Sequence, residues 1–278
     1  IEKDRKLVIP KLTLPAPPQG ETGAVREAAR MLVGAQNPVI VVDRVARTAN
    51  GMKLLVELAE ALGAPVVDQY GRQNFPSRHP LNHTDRGRTV IGAADVVIGM
   101  ELTDFWGTVN GFADTPHQVQ SRRINAETKL ISITSLDLYI RANYQDFQRF
   151  QPVDLSIAAD AEATLPSLIE AVKAAHTGET RARAESRKAA LAKAREQANE
   201  RNRAAAALAW DASPISTARL SAEIWNVIKN EDWALVSRDS GQSNWPHKLW
   251  NFDKSYQFIG HSGGAGVGYG LPAAVGGA

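Results

Sequence analysis

Pro38-Val39-Ile40-Val41-Val42, then Leu54, Leu55, Leu58 and Leu62 at helical spacing, then Gly63-Ala64-Pro65-Val66-Val67: residues 38–67 spell strand, helix, strand. A short unbroken apolar run is what a strand covered on both faces requires, and Gly63 is placed where a helix ends in a left-handed residue. Two such strands joined through a helix run parallel, because a crossover of this length returns the chain in the same direction.

The same alternation extends outward from this unit. Upstream, Ala24, Val25, Ala28, Ala29 and Leu32 share one helical face. Downstream come the strand signals Ala94-Asp95-Val96-Val97-Ile98-Gly99, Lys129-Leu130-Ile131-Ser132-Ile133 and Leu155-Ser156-Ile157, closed by a helix burying Leu165, Leu168, Ile169 and Val172. Five strands with helices between them predict an α/β domain built on an open, doubly wound parallel sheet over residues 21–177.

Residues 1–20 carry Pro10, Pro15, Pro17 and Pro18 and are expected to be an extended linker. A linker joins two domains, so a domain upstream of it is expected. Residues 178–212 are rich in Ala, Arg, Lys, Glu and Gln, with large apolar residues only at Leu191, Leu208 and Trp210, and are expected to form a largely solvated linker helix. Residues 213–278 open a second αβ unit, with Leu220, Ile224, Val227 and Ile228 as its buried stripe and Trp233-Ala234-Leu235-Val236 as its strand.

Composition narrows the functional classes. The net charge is +2 over 278 residues, with eight Arg or Lys against three Glu between Arg181 and Trp210. That stretch lacks interleaved aromatics and a compact patch, so no nucleic-acid partner is expected. No apolar run spans a bilayer, no secretory leader follows the charged start, and there is no cysteine; a cytoplasmic protein without membrane contact is expected. His79, His83, His117, His176 and His247 show no metal-ligand spacing, and Trp245 and Trp250 read as core anchors.

The chemically informative stretch is Gly260-His261-Ser262-Gly263-Gly264-Ala265-Gly266-Val267-Gly268-Tyr269-Gly270-Leu271-Pro272-Ala273-Ala274-Val275-Gly276-Gly277, which holds eight of the chain's 21 glycines. Such density lets backbone approach a ligand, and Pro272 suits the first turn of a helix. Neither a dinucleotide fingerprint nor a P-loop is completed. Packing glycines alone remain an alternative reading.

Residues 266–276 resemble the segment that opens the diphosphate-binding domain of thiamine-diphosphate-dependent enzymes of the acetolactate synthase, benzoylformate decarboxylase and pyruvate oxidase type. Upstream, Asp239-Ser240-Gly241-Gln242-Ser243-Asn244-Trp245 resembles the loop that lies over the cofactor's diphosphate. Ala35-Gln36-Asn37-Pro38, Leu58-Ala59-Glu60-Ala61-Leu62-Gly63-Ala64-Pro65-Val66, His79-Pro80 and Ala94-Asp95-Val96-Val97-Ile98-Gly99 resemble landmarks of the Rossmann-like middle domain of the same family.

The resemblance implies a thiamine-diphosphate- and magnesium-dependent lyase or transferase. It would make or break a carbon–carbon bond beside the carbonyl of a 2-keto acid, as a homodimer or homotetramer. It implies that Val267 props the bent cofactor, that the Ala265 carbonyl and Gly266 lie against it, that Gly241, Gln242 and Ser243 meet the diphosphate, and that His261 faces cofactor or substrate. Catalytic side chains and magnesium ligands of the family match nothing in residues 1–278, so missing N-terminal and C-terminal portions are implied and the isolated chain is expected to be inactive.

Residues 43–47 read Asp-Arg-Val-Ala-Arg where nucleotide-holding relatives have a Gly-rich turn, so FAD or ADP is not expected in the middle domain; Arg44 and Arg47 gripping a phosphate is an alternative. The rival to the enzyme reading is a non-catalytic nucleotide-binding or assembly module.

Overall fold

The computed structural model describes residues 10–13, 15–114, 116–138, 147–236, 244–260 and 268–278. In chain order the elements are α1 (Thr22–Gly34), β1 (Pro38–Val42), α2 (Ala49–Leu62), β2 (Val66–Asp68), α3 (Gly87–Gly92), β3 (Val96–Met100), α4 (Phe105–Val109), β4 (Asn110–Asp114), β5 (Val119–Arg122), β6 (Lys129–Thr134), β7 (Leu155–Ala158), α5 (Ala161–Ala175), α6 (Gly178–Ala207), α7 (Thr217–Ile228), α8 (Trp245–Leu249) and α9 (Gly270–Gly277).

All five expected strands pair in one parallel sheet of order β2-β1-β3-β6-β7. β1 is buried along its whole length and alternates between two cores. Ile40 and Val42 meet α1, α2 and α5 on one face, while Val39 and Val41 meet Ile91, Phe105 and Val109 on the other. This double cover is why the run carries no polar residue. Gly63 ends α2 in the left-handed region, φ 57°, and its position cannot take a side chain because a Cβ would lie 2.2 Å from the Ala184 carbonyl oxygen. The antiparallel pair β4–β5 is an addition that periodicity did not announce.

The long helix is largely exposed, its buried residues being Ala184, Arg195, Ala198 and Ala206, and three of its arginines hold it to the middle domain. Arg187 of α6 donates to the Leu62, Gly63 and Gln36 carbonyls, Arg183 donates to the Val33 and Gly34 carbonyls, and buried Arg195 pairs with Asp85 at 3.1 Å. The last-turn carbonyls of α1 and α2 lack intrahelical partners and sit at the negative ends of their dipoles, so guanidinium forks satisfy both needs. Three arginines of the basic stretch therefore point inward.

The helix α7 is also placed differently from its sequence pattern. Its buried residues are Ala218 and Ser221, whereas Leu220, Ile224 and Val227 are 47%, 41% and 76% exposed. The cause is an aromatic cluster of Trp225, Trp233, Trp250 and Phe252, which draws the opposite face inward and receives Ile228 at its edge. The Trp250 indole N–H donates to the Ser221 carbonyl at 2.7 Å and locks that choice. Residues 233–236 form a single parallel bridge, Leu235 to Phe258, in place of a full strand. Among the described residues no helix is long and apolar enough to cross a membrane.

Candidate functional site

Two regions could hold a ligand. The first is the crevice where strand order reverses, between the carboxyl ends of β1 and β3. Here the protein's own side chains bridge the gap. Buried Asp43 accepts from the Thr103 amide at 3.2 Å and from its hydroxyl. Buried Glu101, held at φ 48°, accepts from the Ala161 amide and the Thr134 hydroxyl, both at 2.9 Å.

The first turn of α2 is where a doubly wound domain would receive an anion, because its free amides point outward there. That place is taken by the carboxylate of Glu162, which accepts from the Arg47 amide at 2.7 Å and from the Thr48 hydroxyl. Arg47 in turn pairs with Asp160 and lies 3.7 Å from Glu162. Arg47, named above as an alternative phosphate grip, has two carboxylates of the α5 N-terminus as its partners here. Arg44 is exposed at the same turn.

The second region surrounds the glycine-rich stretch. Leu235 and Phe258 bridge in parallel, the Leu235 amide donating to the Gln257 carbonyl at 2.7 Å and the Ile259 amide to the Leu235 carbonyl at 3.4 Å. The chain therefore leaves residues 236 and 259 side by side and in one direction, at the carboxyl end of the pair. The expected cofactor residues Gly241, Gln242, Ser243, His261, Ala265, Gly266 and Val267 follow these two exits and lie outside the described residues.

Their described flanks are informative. Gly260 has φ 88°, and a Cβ there would sit 2.6 Å from the Gly71 carbonyl oxygen, so only glycine fits. At Gly268 and Gly270 a Cβ would meet nothing within 4 Å. Gly268 and Gly270 thus face open space, whereas a Cβ at Gly277 would meet Ile259 at 3.2 Å. Parallel exits from a bridged pair and an open backbone at Gly268 and Gly270 are features that a phosphate-bearing ligand such as thiamine diphosphate uses. Among the described residues no group of three or more His, Asp or Glu is placed to hold a metal ion.

A feature that sequence reasoning missed joins the two regions. Residues 70–77 form a loop anchored below by Asp68, which accepts from the Tyr70 and Asn74 amides at 2.9 Å each and from the Asn74 side-chain amide at 2.8 Å. Asn74 accepts in turn from the Val45 and Ala46 amides and donates to the Asp43 carbonyl. Burial pushes the Asp68 carboxyl up to about 7 despite these donors. The loop meets residues 250–258 above, with Gln73 N–H donating to the Phe258 carbonyl at 3.0 Å and Ser77 N–H to the Phe252 carbonyl at 2.9 Å. Nothing in the spacing of Gly71-Arg72-Gln73-Asn74 distinguishes it from an ordinary turn.

His247 lies beside this junction, 5% exposed, its ring stacked on Phe252 at 4.7 Å and edge-on to Phe258. Burial lowers its pKa to about 4, and its Nε2 has no hydrogen-bond partner. Its ring packs within the aromatic core of the second unit. Trp250 is a core anchor as expected.

Comparisons with known proteins bear on the family and the fold. The large subunit of acetolactate synthase isozyme 3 from Escherichia coli (strain K12) is 28% identical over 273 residues, covering 92% of this chain and 42% of that protein. Sulfoacetaldehyde acetyltransferase of Roseovarius nubinhibens is 28% identical over 173 residues, 58% of this chain and 26% of that protein. The crystal structure of benzoylformate decarboxylase from Polynucleobacter necessarius superposes with a TM-score of 0.63 at 16% identity, over 98% of this chain and 46% of that one, a likeness of fold. The chain thus spans less than half the length of these relatives. The family described as "Thiamine pyrophosphate enzyme, central domain" matches residues 25–168, more than half of the chain. The chain belongs to the thiamine pyrophosphate enzyme family and carries its central domain.

Proposed function

We propose that residues 21–177 are the middle domain, and residues 213–278 the entrance to the diphosphate-binding domain, of an enzyme that uses thiamine diphosphate and magnesium to make or break a carbon–carbon bond beside the carbonyl of a 2-keto acid. The observation that carries this reading is the parallel Leu235–Phe258 bridge, from which both expected cofactor loops depart side by side. Acetolactate synthase and benzoylformate decarboxylase among the similar proteins support the substrate class.

Bound thiamine diphosphate would supply an electron sink for carbanion chemistry. The chain's own share is to hold it: Gly241, Gln242 and Ser243 at the diphosphate, Ala265, Gly266 and Val267 along its bend, and His261 toward the reacting end. Catalytic side chains and magnesium ligands are assigned to portions outside residues 1–278, and activity to a cytoplasmic homodimer or homotetramer of the full-length protein. The isolated chain is inactive on this reading. The middle domain is structural, because Glu162 fills the anion position at α2.

Calorimetric titration of the full-length protein tests it. Saturable thiamine diphosphate binding that requires magnesium is expected, with no heat from FAD or ADP. Binding of FAD or ADP without any response to thiamine diphosphate and magnesium would overturn the reading.

A further inference from the structure

A cavity of about 390 Å³, open to solvent, lies where α6 and α8 come together over the loop of residues 70–77, the strap that joins the middle domain to the second unit. Tyr70 and Ser77 line it from the strap, Arg195 and Asn202 from α6, and His247 and Lys248 from α8, with Asn244 at the cap of that helix. Three polar atoms on these walls have no hydrogen-bond partner: Arg195 Nε, Asn244 Oδ1 and His247 Nε2. Arg195 and His247 are only 6% and 5% exposed, so bulk water does not replace the missing bonds. Orphaned polar groups gathered at one cavity call for a bound partner.

The chemistry of the walls defines that partner. The rest of the Arg195 guanidinium is engaged, pairing with Asp85 at 3.1 Å and donating to the Ser77 carbonyl at 2.7 Å, which fixes the direction of the free Nε–H. Lys248 lies 4.7 Å over the Trp245 ring and pairs with no carboxylate among the described residues. His247 is uncharged at neutral pH, since burial lowers its pKa to about 4. Two cations therefore face the single carboxylate of Asp85, and the cavity is left with an unmatched positive charge. Asn244 Oδ1, in contrast, can only accept a hydrogen bond.

We propose that this cavity binds a small hydroxy-carboxylate, whose carboxylate meets Arg195 and Lys248 and whose hydroxyl donates to Asn244. A plain inorganic anion would answer the cations and leave the Asn244 oxygen without a donor. The volume is many times the roughly 30 Å³ of one water and falls within the range of sites that hold small organic molecules. Binding here requires no thiamine diphosphate, so it goes beyond the proposed function and is tested separately from it.

Sodium lactate is titrated calorimetrically into the full-length protein, with sodium acetate, which lacks the hydroxyl, as the comparison. Saturable lactate binding is expected, with acetate about three- to ten-fold weaker for the loss of one neutral hydrogen bond. Lys248→Met keeps the stem and removes the charge, and is expected to weaken lactate binding about ten-fold. Asn202→Phe sets a ring into the cavity from α6 and is expected to abolish saturable binding. Both positions are half-buried, so both variants are expected to melt with the parent.

No saturable lactate binding by the parent would mean that the cavity holds water only, and overturns the proposal. Unaltered affinity in both variants overturns it by placing lactate elsewhere. Displacement of lactate by thiamine diphosphate and magnesium would assign the cavity to that cofactor and overturn it as well. Equal affinity for acetate overturns the hydroxyl contact with Asn244.

Discussion

Glu162 in the first turn of α5 stands against Gly51 in the first turn of α2, so closely that a Cβ at Gly51 would lie 2.5 Å from the carboxylate carbon. One helix thereby supplies the anion for the amino end of another, and Arg47 and Thr48 hold that anion in place. The glycine is required by a neighbour from 111 positions away, counting 162 less 51.

Gly51→Ala is expected to destabilise the protein by about 1–3 kcal/mol, because the added methyl must push aside a hydrogen-bonded carboxylate. In a Glu162→Ala background the same change becomes neutral or stabilising, since the space is vacated. Urea denaturation of the four proteins measures the coupling; simple additivity would show that the two side chains do not compete for one site.

Arg187→Lys keeps the charge of α6 but loses the planar fork that spans the Leu62, Gly63 and Gln36 carbonyls. A loss of about 1–3 kcal/mol is expected, reached also by Arg187→Ala to within roughly 1 kcal/mol. Equal stability of the lysine variant and the parent, read from denaturant midpoints, would reduce the contact to simple charge.

His247 titrates near 4 in the folded protein, against about 6.5 when unfolded. The unfolded chain then binds the extra proton between those values, so this residue's share of stability is present above about pH 6.5 and drains away toward pH 4, by roughly 3 kcal/mol in all. Asp68, raised by burial to about 7, acts in the opposite sense over the same range. His247→Phe keeps the stack on Phe252 and removes the orphaned nitrogen. The variant's stability relative to the parent is therefore expected to grow as pH falls from 6.5 to 4, and a constant difference across that series would contradict the assignment.

Asn74→Ala strips the hub that joins the Val45 and Ala46 amides, the Asp43 carbonyl and the Asp68 carboxylate. Removing a fully bonded buried amide is expected to cost about 3–5 kcal/mol, visible as a lowered urea midpoint. A cost below about 1 kcal/mol would mean that the strap is held from above alone.

Periodicity determined the parallel sheet. β1 and β3 are runs buried along their whole length, as their local pattern requires, β7 is an edge strand buried only at Ile157, and Gly63 announces its own turn.

Tertiary structure alone decided the rest. The apolar stripe of Leu220, Ile224 and Val227 promised burial, yet it is the Trp225 face that packs, against Trp233 and Trp250. Most of α6 is the solvated charge run that its composition suggests, but Arg183 and Arg187 were singled out only when helix ends, distant in sequence, presented carbonyls to them. Asn74 and Ser77 carried no signal at all, since a polar residue in a turn gains its role only from the backbone that folding brings against it. Local periodicity reports which face of an element is apolar; which groups meet across the molecule is settled by packing between segments that the sequence does not order side by side.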